Sequence, residues 1–183
     1  MGGSQAGRWR GAWNRIARSK NWQVIEMFAG GCPASLSPSV MTGHRTDADE
    51  CRRWTTEVTA RLRSLRPDDI ITTAFAQKDL FQPTSSGVAG FVSLWRDWLG
   101  FSRVTVLRDI PTTANHNGPQ CLAINAGKPQ ACAHPRFRVL IDDDLTRAAR
   151  SMPGVVNLVD LSDYFCDTGR CFAVIGGASV YYD

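Results

Sequence analysis

The sequence predicts an α/β fold built on a parallel sheet, and three observations carry that prediction. Segments with a 3.6-residue apolar period alternate along the chain with short runs rich in β-branched residues, the pattern of strands joined by crossover helices. The chain has 183 residues, enough to bury one substantial core, and its hydrophobic fraction of 43% is too high for a disordered segment. No stretch approaches the roughly 18 apolar residues of a membrane helix, so the apolar runs belong to a folded core.

The elements follow in order. Trp9, Trp13, Ile16 and Ala17 fall at i, i+4, i+7 and i+8, which predicts a helix over 6–19. Gln23–Phe28 reads as a buried strand, and 29–47 as a loop punctuated by Gly30, Gly31, Pro33 and Pro38. A second helix is expected over 48–65, with Cys51, Trp54, Val58, Leu62 and Leu65 on its inner face. Asp47 or Asp49 can cap it, and Pro67 stops it. Asp69–Phe75 is the next strand. Val88, Phe91, Val92, Trp95, Trp98 and Leu99 mark a third helix, closed by Gly100. Val104–Leu107 is a strand running into Asp109-Ile110-Pro111, and 111–136 reads as a long loop. A helix near 142–151 opens on Asp142-Asp143-Asp144, whose carboxylates suit a helix start, so the triplet needs no metal to explain it. Val155–Asp160 is the last strand.

The resulting α-β-α-β-α-β-α-β order implies helices on both faces of a parallel sheet, with ligands at the carboxyl ends of the strands. Because the chain opens on a helix, a central strand is expected ahead of it.

The net charge is +4, and residues 1–20 hold Arg8, Arg10, Arg15, Arg18 and Lys20 with no acid. A nucleic acid or an anionic membrane is one reading and a solvated helix face the other. With no zinc-finger or RNP-type motif, no nucleic-acid partner is expected.

The six cysteines bear on compartment. Cys32 and Cys51, Cys121 and Cys132, and Cys166 and Cys171 each bracket a stretch of loop residues. Fifteen pairings are open, of which bridges between nearest neighbours are the simplest, and such bridges persist only in an oxidising compartment. A zinc site drawing on Cys121, Cys132, His134, Cys166 and Cys171 is a rival reading without a CxxC pair, and buried free thiols are another. The opening MGGSQAGRWRGAW has no apolar h-region, so an export signal would have to lie upstream.

No P-loop, no G-x-G-x-x-G and no G-x-S-x-G elbow is present. Three places remain. Gly2-Gly3-Ser4-Gln5 precedes the first helix, where a serine can be an N-cap or can present its hydroxyl beside backbone N–H groups. Ala29-Gly30-Gly31-Cys32-Pro33 ends the first strand, as a simple tight turn or as a backbone donor to a ligand. Tyr181-Tyr182-Asp183 closes the chain.

Further segments fall in a fixed order: Gly31-Cys32-Pro33, Glu50-Cys51-Arg52-Arg53-Trp54, Arg66-Pro67-Asp68, Asp109-Ile110-Pro111, Cys121-Leu122, and Leu161-Ser162-Asp163-Tyr164-Phe165-Cys166 through Gly169-Arg170-Cys171. This ordered set resembles the SGNH domains at the C-termini of bacterial membrane O-acyltransferases, over essentially all 183 residues. The resemblance implies a flavodoxin-like three-layer sandwich and one domain over 1–183, incomplete, with its first strand missing. It implies Ser4 as nucleophile, Gly31 as an oxyanion donor, with Gln77 the amide nearest the family's asparagine, and Asp183 as the Asp of D-x-x-H. In the family mechanism a histidine takes the serine's proton and the aspartate orients that histidine.

The chain departs from the pattern. Gly3 and Gln5 replace the D and H of G-D-S-H, and the histidine of D-x-x-H would fall three residues beyond Asp183. His44, His116 and His134 all fall in predicted loops, with His116 on the expected active-site edge.

The implied function is transfer or removal of acyl groups, acetyl foremost, on cell-envelope glycans. It needs no cofactor, acts outside the cytoplasm, and is attached through an upstream membrane acyltransferase domain. Without the histidine the chain is expected to be nearly inactive. A non-catalytic glycan-binding module is the alternative; its stacking surfaces would be tryptophans, yet most of the six lie on or beside apolar helix faces.

Overall fold

The computed structural model describes residues 1–38, 48–75, 84–112 and 118–180. The helix expected over 6–19 forms as two, α1 (Ser4–Arg8) and α2 (Arg10–Lys20), separated by a turn at Trp9. Trp9 and Trp13 are half-buried, Ala17 is buried and Ile16 reaches solvent. α3 (Ala48–Leu65) buries Cys51, Thr55, Thr59 and Leu62, a face turned by about one residue from the apolar one read in the sequence. Two tethers select that face. Cys51 is bonded to Cys32, and Trp98 donates its indole N–H to Thr59 Oγ1 at 3.0 Å. Trp54 and Val58 pack at its margin.

β1 (Asp69–Thr72) leads into α4 (Ser85–Trp98), which Thr84 caps by accepting the Gly87 N–H at 2.9 Å. β2 (Arg103–Leu107) follows. The stretch expected to be a loop instead holds α5 (Gly118–Ile124) and a 3-10 turn over Pro129–Cys132, joined by the Cys121–Cys132 disulfide. Then come β3 (His134–Pro135), α6 (Arg136–Val139), α7 (Asp144–Arg150), β4 (Asn157–Val159), β5 (Arg170–Cys171), β6 (Val174–Ile175) and β7 (Ala178–Ser179).

The sheet is parallel in the order β1-β2-β4, with Ile70 opposite Val104 and Val106 opposite Leu158. Helices bridge successive strands, because parallel neighbours cannot be joined by a tight turn. Ile70, Val104 and Val106 share one core with Leu94, Trp95 and Trp98 of α4 and with Leu145 and Ala148 of α7. β3 pairs antiparallel with β5, and β6 with β7. The third disulfide, Cys166–Cys171, braces this outer part. All six cysteines are therefore bonded to their neighbours, and no thiolate is left to hold zinc.

The strand expected at Gln23–Phe28 pairs only at its end. Phe28 bridges Gly2 in parallel, and Gly2 bridges Thr73 on its other side. A strand needs a neighbour for its backbone groups. Gly2 is the one bridging partner of this segment among the described residues, so Val24 and Ile25 stay exposed.

The acidic triplet is consumed by structure. Asp143 caps α7, accepting from Thr146 N at 2.7 Å and Thr146 Oγ1 at 2.8 Å. Asp144 accepts from Thr84 N at 2.9 Å and so ties α7 to the start of α4, while Asp142 pairs with Arg147 and Arg150.

Arg108 lies just beyond β2. It is 9% exposed, and donates to Asp160 Oδ2 at 2.6 Å and to the Ile141 carbonyl at 3.2 Å. Partial burial alone would raise the Asp160 pKa, but hydrogen bonds from Ser162 and Arg108 outweigh it and hold the carboxyl below its usual range. A carboxylate with a depressed folded-state pKa stabilises the fold above its unfolded pKa, and that contribution is lost as pH falls through the folded value. Asp160→Asn is expected to cost about 1 kcal/mol at neutral pH, solvent screening holding it to that order. It should also flatten the acid limb of the stability curve, as read by urea denaturation at stepped pH.

Candidate active site

The site is built where several parallel segments end on one edge. Met1 and Gly2 run between residues 27–29 and the end of β1. Gly2 N donates to the Met27 carbonyl at 3.3 Å, Ala29 N to the Gly2 carbonyl at 3.2 Å, and Thr73 N to the Met1 carbonyl at 3.3 Å. Gly2 has φ +147°, and a Cβ on it would sit 2.3 Å from the Thr73 carbonyl oxygen, so glycine is required there. A Cβ on Gly3 would lie 3.1 Å from the Cys32 carbonyl oxygen and 3.8 Å from that of Ala29. The turn over 29–32 is thus folded against the backbone of Gly3, and the next residue is Ser4.

Ser4 is the first residue of α1 and is exposed. Gly3 stands at the N-cap position without a side chain, so the cap reading of Ser4 does not hold: the serine lies inside the helix. Gly31 lies in the adjoining turn with φ +76°, a conformation glycine adopts freely. Cys32 N donates back to the Ala29 carbonyl at 3.2 Å, and Cys32 is bonded to Cys51, so both ends of the turn are fixed. Leu36 N then donates to the Gly90 carbonyl at 3.2 Å, laying the following segment over α4. Ser4 therefore follows directly on backbone packed against the turn that holds Gly31, at the carboxyl edge of the sheet, where open parallel sheets bind ligands.

Gln5 was read from the sequence only as a departure from a motif. It is 3% exposed and donates its amide N–H to Asp109 Oδ2 at 3.2 Å, while Asp109 is 7% exposed and accepts the Ile110 N–H on Oδ1 at 3.0 Å. Asp109 stands just past the end of β2, so this pair draws a further strand end into the corner. The Asp109-Ile110-Pro111 segment was legible as a strand end. Its contact with Gln5, 104 residues away, carries no local sequence signal.

Gln77, Asp183, His44 and His116 lie outside the described residues. His134 is half-buried in β3, opposite Cys171 in the outer hairpin. The tryptophans are mostly structural: Trp95 and Trp98 are fully buried, while Trp22 is 57% exposed. Among the described residues, no helix is long and apolar enough to cross a membrane.

A family model described as "SGNH domain (fused to AT3 domains)" matches residues 1–183. Among solved structures, the chain is similar to the periplasmic domain of the lipopolysaccharide acetyltransferase of Salmonella ser. Paratyphi A. The two share 11% identity with a TM-score of 0.65, over 96% of this chain and 69% of that one. No curated protein matches.

The close approach at Gly2 yields a test of the corner. Gly2→Ala is expected to destabilise the fold by at least about 2 kcal/mol, because both the overlap with the Thr73 carbonyl and the positive φ oppose a side chain. Urea denaturation checks it. Gly30→Ala, whose added Cβ would meet nothing within 4 Å, is the control expected to change little.

Proposed function

The chain belongs to the family of SGNH domains fused to AT3 domains, and from that membership we propose that it is a serine-based acyl-transfer or esterase domain with Ser4 as its nucleophile. The observation that carries the proposal is the shared corner of Ser4 and the Gly31 turn, at the carboxyl edge of a parallel sheet.

The chemistry runs as follows. Ser4 Oγ attacks an acyl carbonyl, a bond forms between them, and the carbonyl oxygen takes up negative charge. The Gly31 N–H, with Gln77 as a second donor, receives that charge. Such donors act strongly because they are fixed before charge develops. In the family mechanism the Asp at the position of Asp183 orients a histidine that takes the serine's proton and gives it to the leaving alcohol; the acyl group then stays on the serine until water or an acceptor hydroxyl, deprotonated by the same histidine, takes it. Gln5 stands where the G-D-S-H pattern has histidine, and its amide already donates to Asp109. An amide does not accept a proton at neutral pH, so Gln5 is not a base; that role belongs to the histidine of D-x-x-H, and without it turnover is slight.

The substrate class we propose is acyl, foremost acetyl, esters on hydroxyls of cell-envelope glycans. The likeness in fold to the periplasmic domain of a lipopolysaccharide acetyltransferase supports this choice. The three disulfides support an extracytoplasmic location, since such bonds survive only where the surroundings are oxidising. The fused AT3 domain of the family is the partner that would deliver the acyl group from the membrane.

Exposure to an activated acetyl ester, followed by peptide mass spectrometry, tests the role of Ser4. The expected result is one acetyl group on the peptide holding Ser4 and its loss in Ser4→Ala. Triad members act as a unit, so without the histidine the labelling is expected to be slow, and the comparison is its extent at Ser4 after equal exposure of the chain and the variant. Equal acetylation in the variant contradicts the proposal.

A further inference from the structure

We infer that Asp109 and Gln5 form a positioning pair for Ser4, by which the first turn of α1 is fixed to the end of β2. The inference rests on the reading of Ser4 as nucleophile, and it gives a role to two residues to which the resemblance assigned none.

Three observations carry it. First, α1 is weak by its own sequence. It is five residues long, its N-cap Gly3 supplies no side-chain acceptor, its first turn holds no acid, and Gly7 lies within it. Such a segment does not hold a helical turn unaided. Second, of its five residues Gln5 alone is buried, so the side chain next to Ser4 is the one that anchors the turn. Third, its partner is a buried carboxylate whose two oxygens are both engaged, Oδ2 by Gln5 and Oδ1 by the Ile110 N–H. The acceptor is thereby fixed by the backbone at the end of β2. A buried hydrogen bond of this kind is costly to leave unmade. The contact spans 104 residues of sequence and joins the serine's turn directly to the sheet edge. Gln5 and Asp109 need not touch substrate; they act by limiting where the Ser4 side chain can stand.

The inference is tested without any acyl substrate, so its failure is separable from that of the proposed function. With all six native cysteines in disulfides, Ser4→Cys places one free thiol at the position of interest. The measurement is its alkylation rate with iodoacetamide across pH, together with the melting temperature, in variants of unchanged net charge. Gln5→Leu removes the hydrogen bond, and is expected to change the pH-independent alkylation rate by at least about threefold, as a displaced reacting group does. The pair Gln5→Glu with Asp109→Asn reverses the bond, since the asparagine amide donates to the glutamate while its carbonyl keeps the Ile110 N–H. It should restore the parent rate. A purely structural role moves the melting temperature and leaves the alkylation profile alone. That outcome overturns the inference, as does failure of the exchanged pair to restore the rate. Should Gln5→Leu not fold, the exchanged pair still decides.

Discussion

Everything proposed for this chain depends on a backbone threaded where no side chain fits. Gly2 hydrogen-bonds on one side to residues 27 and 29 and lies against Thr73 on the other, and a Cβ would come within 2.3 Å of the Thr73 carbonyl. That contact fixes the exit of the chain from the sheet edge and hence the start of α1. The turn over 29–32 closes on the neighbouring Gly3, held by the Cys32–Cys51 bridge. An exposed serine on a short, uncapped helix would otherwise be one more surface hydroxyl. Its meaning comes from being delivered to a fixed place.

The rest of the fold keeps that place steady. The core of α4 and α7 on β1 and β2 includes Phe91, Trp95 and Trp98, with both tryptophans excluded from solvent. Polar ties finish the edges where the sheet ends. Arg108 links the region past β2 to Asp160 past β4, and Asp144 locks the start of α7 to the start of α4. These ties sit at the carboxyl ends of strands or the N-termini of helices, the two kinds of place where backbone groups would otherwise lack partners.

Much of this was legible in the sequence, for identifiable reasons. The three strands of the sheet, α3, α4 and α7 followed from periodicity and from punctuation at Pro67 and Gly100. The neighbour pairing of cysteines followed from short loops, although spacing alone left fifteen arrangements open. Other features were decided by contacts that no local pattern encodes. The inner face of α3 turned to suit a disulfide and a Trp98–Thr59 hydrogen bond, burying threonines that look like surface residues. Gln23–Phe28 has strand composition but little to pair with, and composition cannot supply a neighbour. The stretch over 111–136 read as loop, yet it holds a helix and a 3-10 turn joined by a disulfide. At the candidate site Ser4 and Gly31 were singled out by motif order. Asp109 was missed as a partner of Gln5, because a contact across 104 residues leaves no trace in either neighbourhood.

The central claim is that Ser4 and the Gly31 turn form one reactive corner. A crystal structure of the chain after treatment with an alkyl phosphonate ester carrying a good leaving group addresses it most directly, since tetrahedral phosphorus mimics the attacked acyl carbon. The account predicts phosphorus bonded to Ser4 Oγ, with its anionic oxygen within hydrogen-bonding distance of the Gly31 N–H. Phosphorus attached elsewhere, or attached to Ser4 with that oxygen turned away from residues 29–32, would contradict it.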